Sequence, residues 1–123
     1  MNYIKKFSEI GIENISEVGG KNASLGEMFT HLTPKGILIP KGFAVTAAAY
    51  KYFLKSNQLE EPLSTLMKTL DKDKYINLSE VGTKARNMLM SGHIANDLSM
   101  AITGAYEAMF DDGKQEVAVR SSA

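Results

Sequence analysis

Helical periodicity constrains the fold of this chain more than any other feature of its sequence. Apolar residues recur at intervals of three and four, which places them on one face of a helix. Five segments carry such a stripe, and the stripes begin at Leu25, Tyr50, Leu63, Leu78 and Ile94. The pattern predicts five amphipathic helices. In the first of them, the residues expected on the buried face are Leu25, Met28, Phe29 and Leu32.

Turn and cap residues predict where several of these helices begin and end. The first helix is expected to end before Pro34, because the residue that precedes a proline disfavours helical backbone. Thr46 is placed to cap the second helix, and Asn57 to end it in a left-handed conformation. Asp111, Asp112 and Gly113 are typical of a turn after the last helix.

Strand signals are few and short. Phe43, Ala44 and Val45 follow a turn at Pro40 and Gly42, and the pattern predicts a short buried strand. Val117 and Val119 alternate with Ala118 and Arg120, and residues 116–123 run to the end of the sequence without a turn, which predicts a second strand and a chain that is cut there. The predicted fold class is α+β: helix-rich, with a small incomplete sheet that is too short to be stable alone.

Composition excludes several classes of protein. The chain has 123 residues, enough for one domain or part of one. Fourteen basic residues balance fourteen acidic ones, so no net charge attracts nucleic acid or an anionic membrane. The absence of cysteine excludes disulfides, thiolate nucleophiles and cysteine-based metal sites. Since no export signal or membrane-length apolar stretch is present, we expect a cytoplasmic protein.

The Gly19-Gly20-Lys21 sequence, at the start of the first predicted helix, is a candidate phosphate site. Glycines let the backbone approach an anion, and the helix N-terminus and the lysine add positive charge. The motif is not a Walker P-loop, because Ile15 replaces the first glycine and Asn22 follows the lysine. A turn with a solvated lysine and Asn22 as the helix cap remains an alternative.

The Val119-Arg120-Ser121-Ser122 sequence is a second candidate phosphate site. A guanidinium group at the end of a strand is well suited to bind phosphate oxygens. The alternative is an arginine on an edge strand that faces solvent and discourages strand pairing. Neither motif decides between its two interpretations by itself.

Taken together, the motifs resemble the amino-terminal region of phosphoenolpyruvate synthases and the related pyruvate phosphate dikinases. The resemblance rests on residues 18–28, on residues 40–46 with Tyr50, Phe53 and Leu54, and on residues 117–123, which occur in the same order and at similar spacing. Residues 22–28, Asn-Ala-Ser-Leu-Gly-Glu-Met, resemble the synthase form, whereas the dikinases favour Gly-Ala-Asn-Leu-Ala-Glu-Met after the lysine.

The resemblance implies an ATP-grasp-like nucleotide-binding domain, of which residues 1–123 would be the amino-terminal fragment. In this family ATP phosphorylates a carrier histidine, which then phosphorylates pyruvate and gives phosphoenolpyruvate, AMP and phosphate. Lys21 and Arg120 match the cations that hold the ATP phosphates. The complete enzyme would be a gluconeogenic, magnesium-dependent cytoplasmic enzyme and a homodimer, and the fragment alone would be inactive.

The carrier histidine, the metal-binding carboxylate and the pyruvate site are expected outside this fragment, in the remaining domains of the same polypeptide. Neither His31 nor His93 resembles the carrier signature, and both are expected to be structural. Glu27 and the turn aspartates could be imagined as magnesium ligands, but solvated turns and backbone bonds explain them better. Two other functions stay open: a different phosphotransferase with the same nucleotide domain, and a helical module that binds a partner protein.

Overall fold

A computed structural model describes residues 2–110 and 116–122 of the chain. The chain forms two compact units. The first contains the described residues of 2–50 and 96–122, and the second contains residues 51–95. The predicted turn at Asp111, Asp112 and Gly113 lies outside the described residues.

The first unit contains a two-stranded antiparallel sheet of β1 (Ile4–Lys6) and β2 (Phe43–Val45). Ile4 lies opposite Val45, and Lys6 lies opposite Phe43. The pairing continues past the strand ends, because the Phe7 amide donates to the Gly42 carbonyl at 3.0 Å. The sequence predicted β2 but not β1, since a three-residue strand with two lysines has no clear alternation.

Helices make up most of the described chain, which confirms the α+β prediction of a helix-rich fold with a small sheet. The helices are α1 (Ile15–Val18), α2 (Gly20–Leu32), α3 (Ala47–Ser56), α4 (Glu60–Lys68), α5 (Leu78–Met90) and α6 (Asn96–Glu107). Three short 3-10 helices lie at Phe7–Glu9, Ile12–Asn14 and Thr33–Lys35. Helix α6 packs against β1 in the first unit, and α4 packs against α5 in the second.

The most deeply buried residues of helix α2 are small. Ala23 and Gly26 are buried, whereas Leu25, Phe29 and Leu32 of the predicted apolar stripe are half-buried and Met28 is exposed. A Cβ atom on Gly26 would collide with the carbonyl oxygen of Ile10. The apolar stripe is therefore partly buried as predicted, except at Met28, but the closest packing falls to the smallest residues because the two backbones approach each other there.

The core of the first unit joins this helix to the sheet. Its buried cluster consists of Ile10, Val18, Ala23 and Ala44, with Phe7 packed against it. Val18, the last residue of α1, is 2% exposed. Burial of this cluster fixes α1 and α2 against β2.

The start of α3 agrees with the sequence prediction, but its end differs by one residue. The Thr46 hydroxyl accepts a hydrogen bond from the Ala49 amide at 3.3 Å, which confirms the predicted cap. The left-handed residue is Gln58, with φ of 56°, and not Asn57. The Asn57 backbone amide donates to the Phe53 carbonyl at 3.2 Å and thereby continues the helical turn by one residue, and the Asn57 side chain donates to the same carbonyl at 2.8 Å.

In the second unit, the loop between α4 and α5 is held by two polar side chains. The Asp71 carboxylate accepts from the backbone amides of Asp73 and Lys74, both at 3.0 Å. The Asn77 side chain donates to the Thr69 carbonyl at 2.7 Å and accepts from the Asp71 amide at 2.8 Å. Asp71 thus bonds its own turn, as the sequence predicted for the aspartates.

The predicted strand at the end of the chain is wrong for the described residues. Residues 116–122 have no regular secondary structure, and Val119 is 92% exposed. A strand exists only where its amides and carbonyls pair with a neighbouring strand, and the described sheet contains only β1 and β2. Alternation of side chains is therefore not sufficient by itself to make residues 116–122 a strand.

None of the described helices is long and apolar enough to cross a membrane.

Two glycine substitutions test the packing of α2. Gly26→Ala should lower the free energy of unfolding by about 1–3 kcal/mol, because the added methyl group overlaps the Ile10 backbone. Gly104→Ala, in α6, meets no atom within 4 Å and should raise it by about 0.5–1 kcal/mol, because alanine favours helix. Urea unfolding followed by circular dichroism measures both. A Gly26→Ala variant as stable as Gly104→Ala would contradict this packing.

Candidate functional site

The junction between α1 and α2 is a single glycine in a conformation that other residues rarely adopt. Gly19 has φ of 81° and ψ of 162°, a region that is essentially restricted to glycine. Its amide donates to the Ile15 carbonyl at 2.8 Å, and its carbonyl accepts from the Ala23 amide at 3.0 Å. The junction is therefore bonded to both helices, and it ends α1 and begins α2 within one residue.

No side chain caps the N-terminus of α2 among the described residues. Asn22, the alternative cap, instead donates its side-chain amide to the Val18 carbonyl at 2.9 Å. The first-turn amides of a helix have no partner within the helix, and they carry a partial positive charge. The start of α2 therefore offers donors that suit an anion.

Residues 116–122 lie against this junction. A Cβ atom on Gly19 would lie 2.6 Å from the carbonyl oxygen of Ser122 and 2.9 Å from its Cβ. Such separations are far below van der Waals contact, so Ser122 occupies the space that a side chain at position 19 would need. The two motifs of the sequence thus meet in space.

An open depression of about 410 Å³ lies at the start of α2, and we call it the α2 depression. Its lining residues are Gly20, Lys21, Asn22, Ser24, Leu25, Arg120 and Ser121. Lys21 and Arg120 are 99 positions apart in the sequence, yet both line it. The sequence drew attention to both cations but not to Ser24, which lies one helical turn after Gly20 and carries no signal of its own.

The chemistry of the α2 depression suits a polyanion. It combines an ammonium group, a guanidinium group, serine hydroxyls and the amides of a helix N-terminus, which are the usual donors to phosphate oxygens. None of the described residues that line it carries a carboxylate. Both Lys21 and Arg120 are exposed, so a ligand would reach them directly from solvent.

An ion pair holds the helix that leads into the Gly19 junction. The Lys5 ammonium of β1 lies 2.6 Å from the Glu17 carboxylate of α1. The Asn14 side chain donates to the same carboxylate at 2.9 Å. These hydrogen bonds, that from Lys5 first, lower the pKa of Glu17 below its ordinary value of 4.5. The pair thus ties α1 to the sheet two residues before Gly19.

Glu27 and the two histidines have structural contacts. The Glu27 carboxylate accepts from the Ile12 amide at 3.0 Å, and its other oxygen lies 2.9 Å from the His31 Nε2. The backbone of His93 exchanges two hydrogen bonds with the Asn57 side chain, at 2.7 and 2.9 Å. Within the described ranges, no group of three or more histidine or acidic residues is arranged to hold a metal ion.

Comparison with known proteins defines the class to which the chain belongs. Residues 15–123 match the family described as pyruvate phosphate dikinase, AMP/ATP-binding domain. The match covers most of the sequence, so the chain belongs to this family of nucleotide-binding domains. The resemblance found in the motifs is thereby confirmed, and the alternative of a helical interaction module loses its support.

Individual relatives carry a more specific name. The chain is 44% identical over 124 residues to the phosphoenolpyruvate synthase of Synechocystis sp.. The aligned stretch covers 95% of this chain and 15% of that protein. It is 40% identical over 125 residues to the phosphoenolpyruvate synthase of Neisseria meningitidis serogroup B, in an alignment that covers 99% of this chain and 16% of that protein. For the Escherichia coli synthase the identity is 36% over 118 residues, with 95% and 15% covered. The chain thus spans only about 15% of the length of these relatives.

A titration of Glu17 tests the ion pair beside the Gly19 junction. We expect Glu17 to titrate below pH 4.5, and the Lys5→Met substitution to raise its pKa because the largest cause of the shift is lost. Since ionised Glu17 favours the folded chain, its contribution to stability is present above about pH 4.5 and disappears as pH falls through the lowered pKa. Carboxyl chemical shifts measured by NMR report the pKa directly.

Glu80 provides the control, because its pKa is lowered by Lys84 on the same helix and not by Lys5. Lys5→Met should leave the titration of Glu80 unchanged. A Glu17 pKa that does not move in this variant would contradict the role assigned to the ion pair.

Proposed function

We propose that the α2 depression holds the phosphate chain of ATP, with Lys21 and Arg120 as the two cations that bind it. The observation that carries this proposal is the convergence of two cations, distant in sequence, at one uncapped helix N-terminus. The AMP/ATP-binding description of the family supports the choice of nucleotide. We infer that the complete nucleotide-binding domain is ATP-grasp-like and that residues 1–123 form its amino-terminal part.

Each group in the α2 depression has a role in phosphoryl transfer. Such reactions depend mainly on positioning the phosphates and on neutralising the charge of their oxygens. The Arg120 guanidinium can bind two oxygens at once, the Lys21 ammonium supplies a compact charge, and the first-turn amides of α2 add oriented donors. Together they would hold the phosphate chain while its terminal groups react.

The lining of the α2 depression suits ATP phosphates but not a magnesium ion. Mg²⁺ prefers carboxylate and phosphate oxygens, and the α2 depression presents cations and hydroxyls instead. The described residues therefore do not fit a magnesium site of their own. We propose that the ion accompanies the nucleotide and is held by residues outside this chain.

For the longer protein, we propose the activity of a phosphoenolpyruvate synthase. ATP would phosphorylate a carrier histidine, and this group would then pass to pyruvate, which gives phosphoenolpyruvate, AMP and phosphate. The names of the relatives support the synthase over the related pyruvate phosphate dikinase, which would use the same nucleotide domain. The carrier and pyruvate sites would lie in other domains of a cytoplasmic, homodimeric enzyme of gluconeogenesis.

The proposal is tested by separating the two half-reactions in the full-length protein. Lys21→Ala and Arg120→Ala should each lower the rate of enzyme phosphorylation by ATP about 10- to 150-fold, since a charged hydrogen bond contributes about 1.5–3 kcal/mol. Isotope exchange between pyruvate and phosphoenolpyruvate uses the carrier histidine without the nucleotide, so it should continue at the rate of the unsubstituted protein.

Lys35→Ala is the matched control. Lys35 is an exposed lysine of the same unit, in the 3-10 helix that follows α2, and it does not line the α2 depression. Its substitution should change neither half-reaction. Equal loss of both half-reactions in Lys21→Ala or Arg120→Ala would contradict the assignment of these residues to ATP.

The isolated chain should bind ATP only weakly. An open depression on a chain that spans about 15% of its relatives supplies few contacts and leaves the ligand hydrated. We expect a dissociation constant in the millimolar range or above, by isothermal titration calorimetry with and without Mg²⁺. Tight magnesium-dependent binding would show that this chain contains more of the nucleotide site than we propose.

A further inference from the structure

The contact between Gly19 and Ser122 bears on how the proposed ATP site is assembled. Lys21 lies two residues after Gly19, and Arg120 lies two residues before Ser122. Because consecutive Cα atoms are about 3.8 Å apart, residues two positions apart are separated by at most about 7 Å. A contact at Gly19 therefore brings both cations within reach of one phosphate chain.

One side of this contact is rigid. Gly19 is bonded to α1 through its amide and to α2 through its carbonyl. Val18, directly before it, is part of the buried core. The position and direction of Gly19 are thus set by bonds and packing within residues 10–44 of the first unit.

The other side of the contact has little structure of its own. Residues 116–122 contain neither helix nor strand, and both Val117 and Val119 are exposed. Neither a backbone ladder nor burial of these valines positions the segment. Its closest described approach to the rest of the first unit is at the Gly19 junction, two residues from Arg120.

We infer that Gly19 is a positioning residue of the ATP site: the absence of a side chain there allows Ser122 to lie against the junction, and this places Arg120 opposite Lys21. The inference rests on the proposed function. Two physical reasons support it. A residue with a side chain is strained at the φ of 81° that position 19 adopts, and its Cβ atom would occupy the place of Ser122.

The experiment measures ATP affinity in the full-length protein with four variants. Gly19→Ala should weaken ATP binding about 10- to 100-fold, as Arg120→Ala does, because the guanidinium group is displaced. The double variant Gly19→Ala/Arg120→Ala should bind ATP within about threefold of Arg120→Ala alone, since the same interaction is lost in both. Exchange between pyruvate and phosphoenolpyruvate should remain unchanged throughout.

Gly36→Ala is the fourth variant and the matched control for backbone strain. Gly36 also has a positive φ, 82°, but its ψ of 8° lies in the left-handed helical region, and a Cβ atom there meets no atom within 4 Å. Its substitution should leave ATP affinity within about twofold of the unsubstituted protein, because it adds the strain of a positive φ without displacing a segment. The strain at Gly19 is larger, and Ser122→Leu, which leaves Gly19 intact, separates that strain from displacement of the segment.

Ser122→Leu tests the same contact if Gly19→Ala does not fold. Ser122 lies outside the buried core of the first unit, and a larger side chain there should push the segment away from an intact Gly19 junction. We expect the same loss of ATP affinity as for Gly19→Ala. The double variant Ser122→Leu/Arg120→Ala should bind ATP within about threefold of Arg120→Ala alone.

The outcomes distinguish failure of the positioning role of Gly19 from failure of the proposed ATP site. If Arg120→Ala does not weaken ATP binding, the proposed function fails. If Arg120→Ala weakens binding but Gly19→Ala and Ser122→Leu do not, only the positioning role of Gly19 is overturned. Losses that multiply in the double variants would also overturn it, because Gly19 would then act independently of Arg120.

Discussion

The close approach of a backbone segment to Gly19 is the interaction on which the rest of this site depends. A residue without a side chain ends one helix, begins the next and leaves room for Ser122 against the junction. Lys21 and Arg120 line one depression as a consequence, although the sequence separates them by 99 positions. A polyanion bound there would interact favourably with both cations at once.

Small residues elsewhere in the first unit give the junction its rigidity. Ala23 and Gly26 bring α2 close to the chain at Ile10, and Val18 is buried in the same cluster. The Lys5–Glu17 ion pair also ties α1 to the sheet. The helix N-terminus is thus fixed before any ligand binds, as electrostatic preorganisation requires.

Much of this could be predicted from the sequence, for identifiable reasons. The helices follow from long apolar stripes, and the Thr46 cap from a local side-chain bond. Family membership follows from ordered motifs, since several short patterns at fixed spacing are far more specific than one. Lys21 and Arg120 were drawn from those motifs, and their role in ATP binding stays a prediction.

The errors have a common physical origin in contacts that span distant parts of the chain. Residues 117–120 alternate like a strand but have no described neighbour with which to pair. Strand β1 contains two lysines and exists because Phe43–Val45 lies beside it. The closest packing of α2 is set by backbone approach to Ile10, which apolar periodicity does not detect. The same limitation applies to the contact between Gly19 and Ser122.

A titration of the ¹⁵N-labelled chain with inorganic triphosphate, followed through its backbone amide shifts, tests whether Lys21 and Arg120 serve one phosphate site. We expect the amides of residues 20–24 and 120–122 to shift together and to follow one saturation curve, while those of residues 35–38 stay in place. Shifts confined to one of the first two segments, or two different saturation curves, would contradict a single phosphate site built from both.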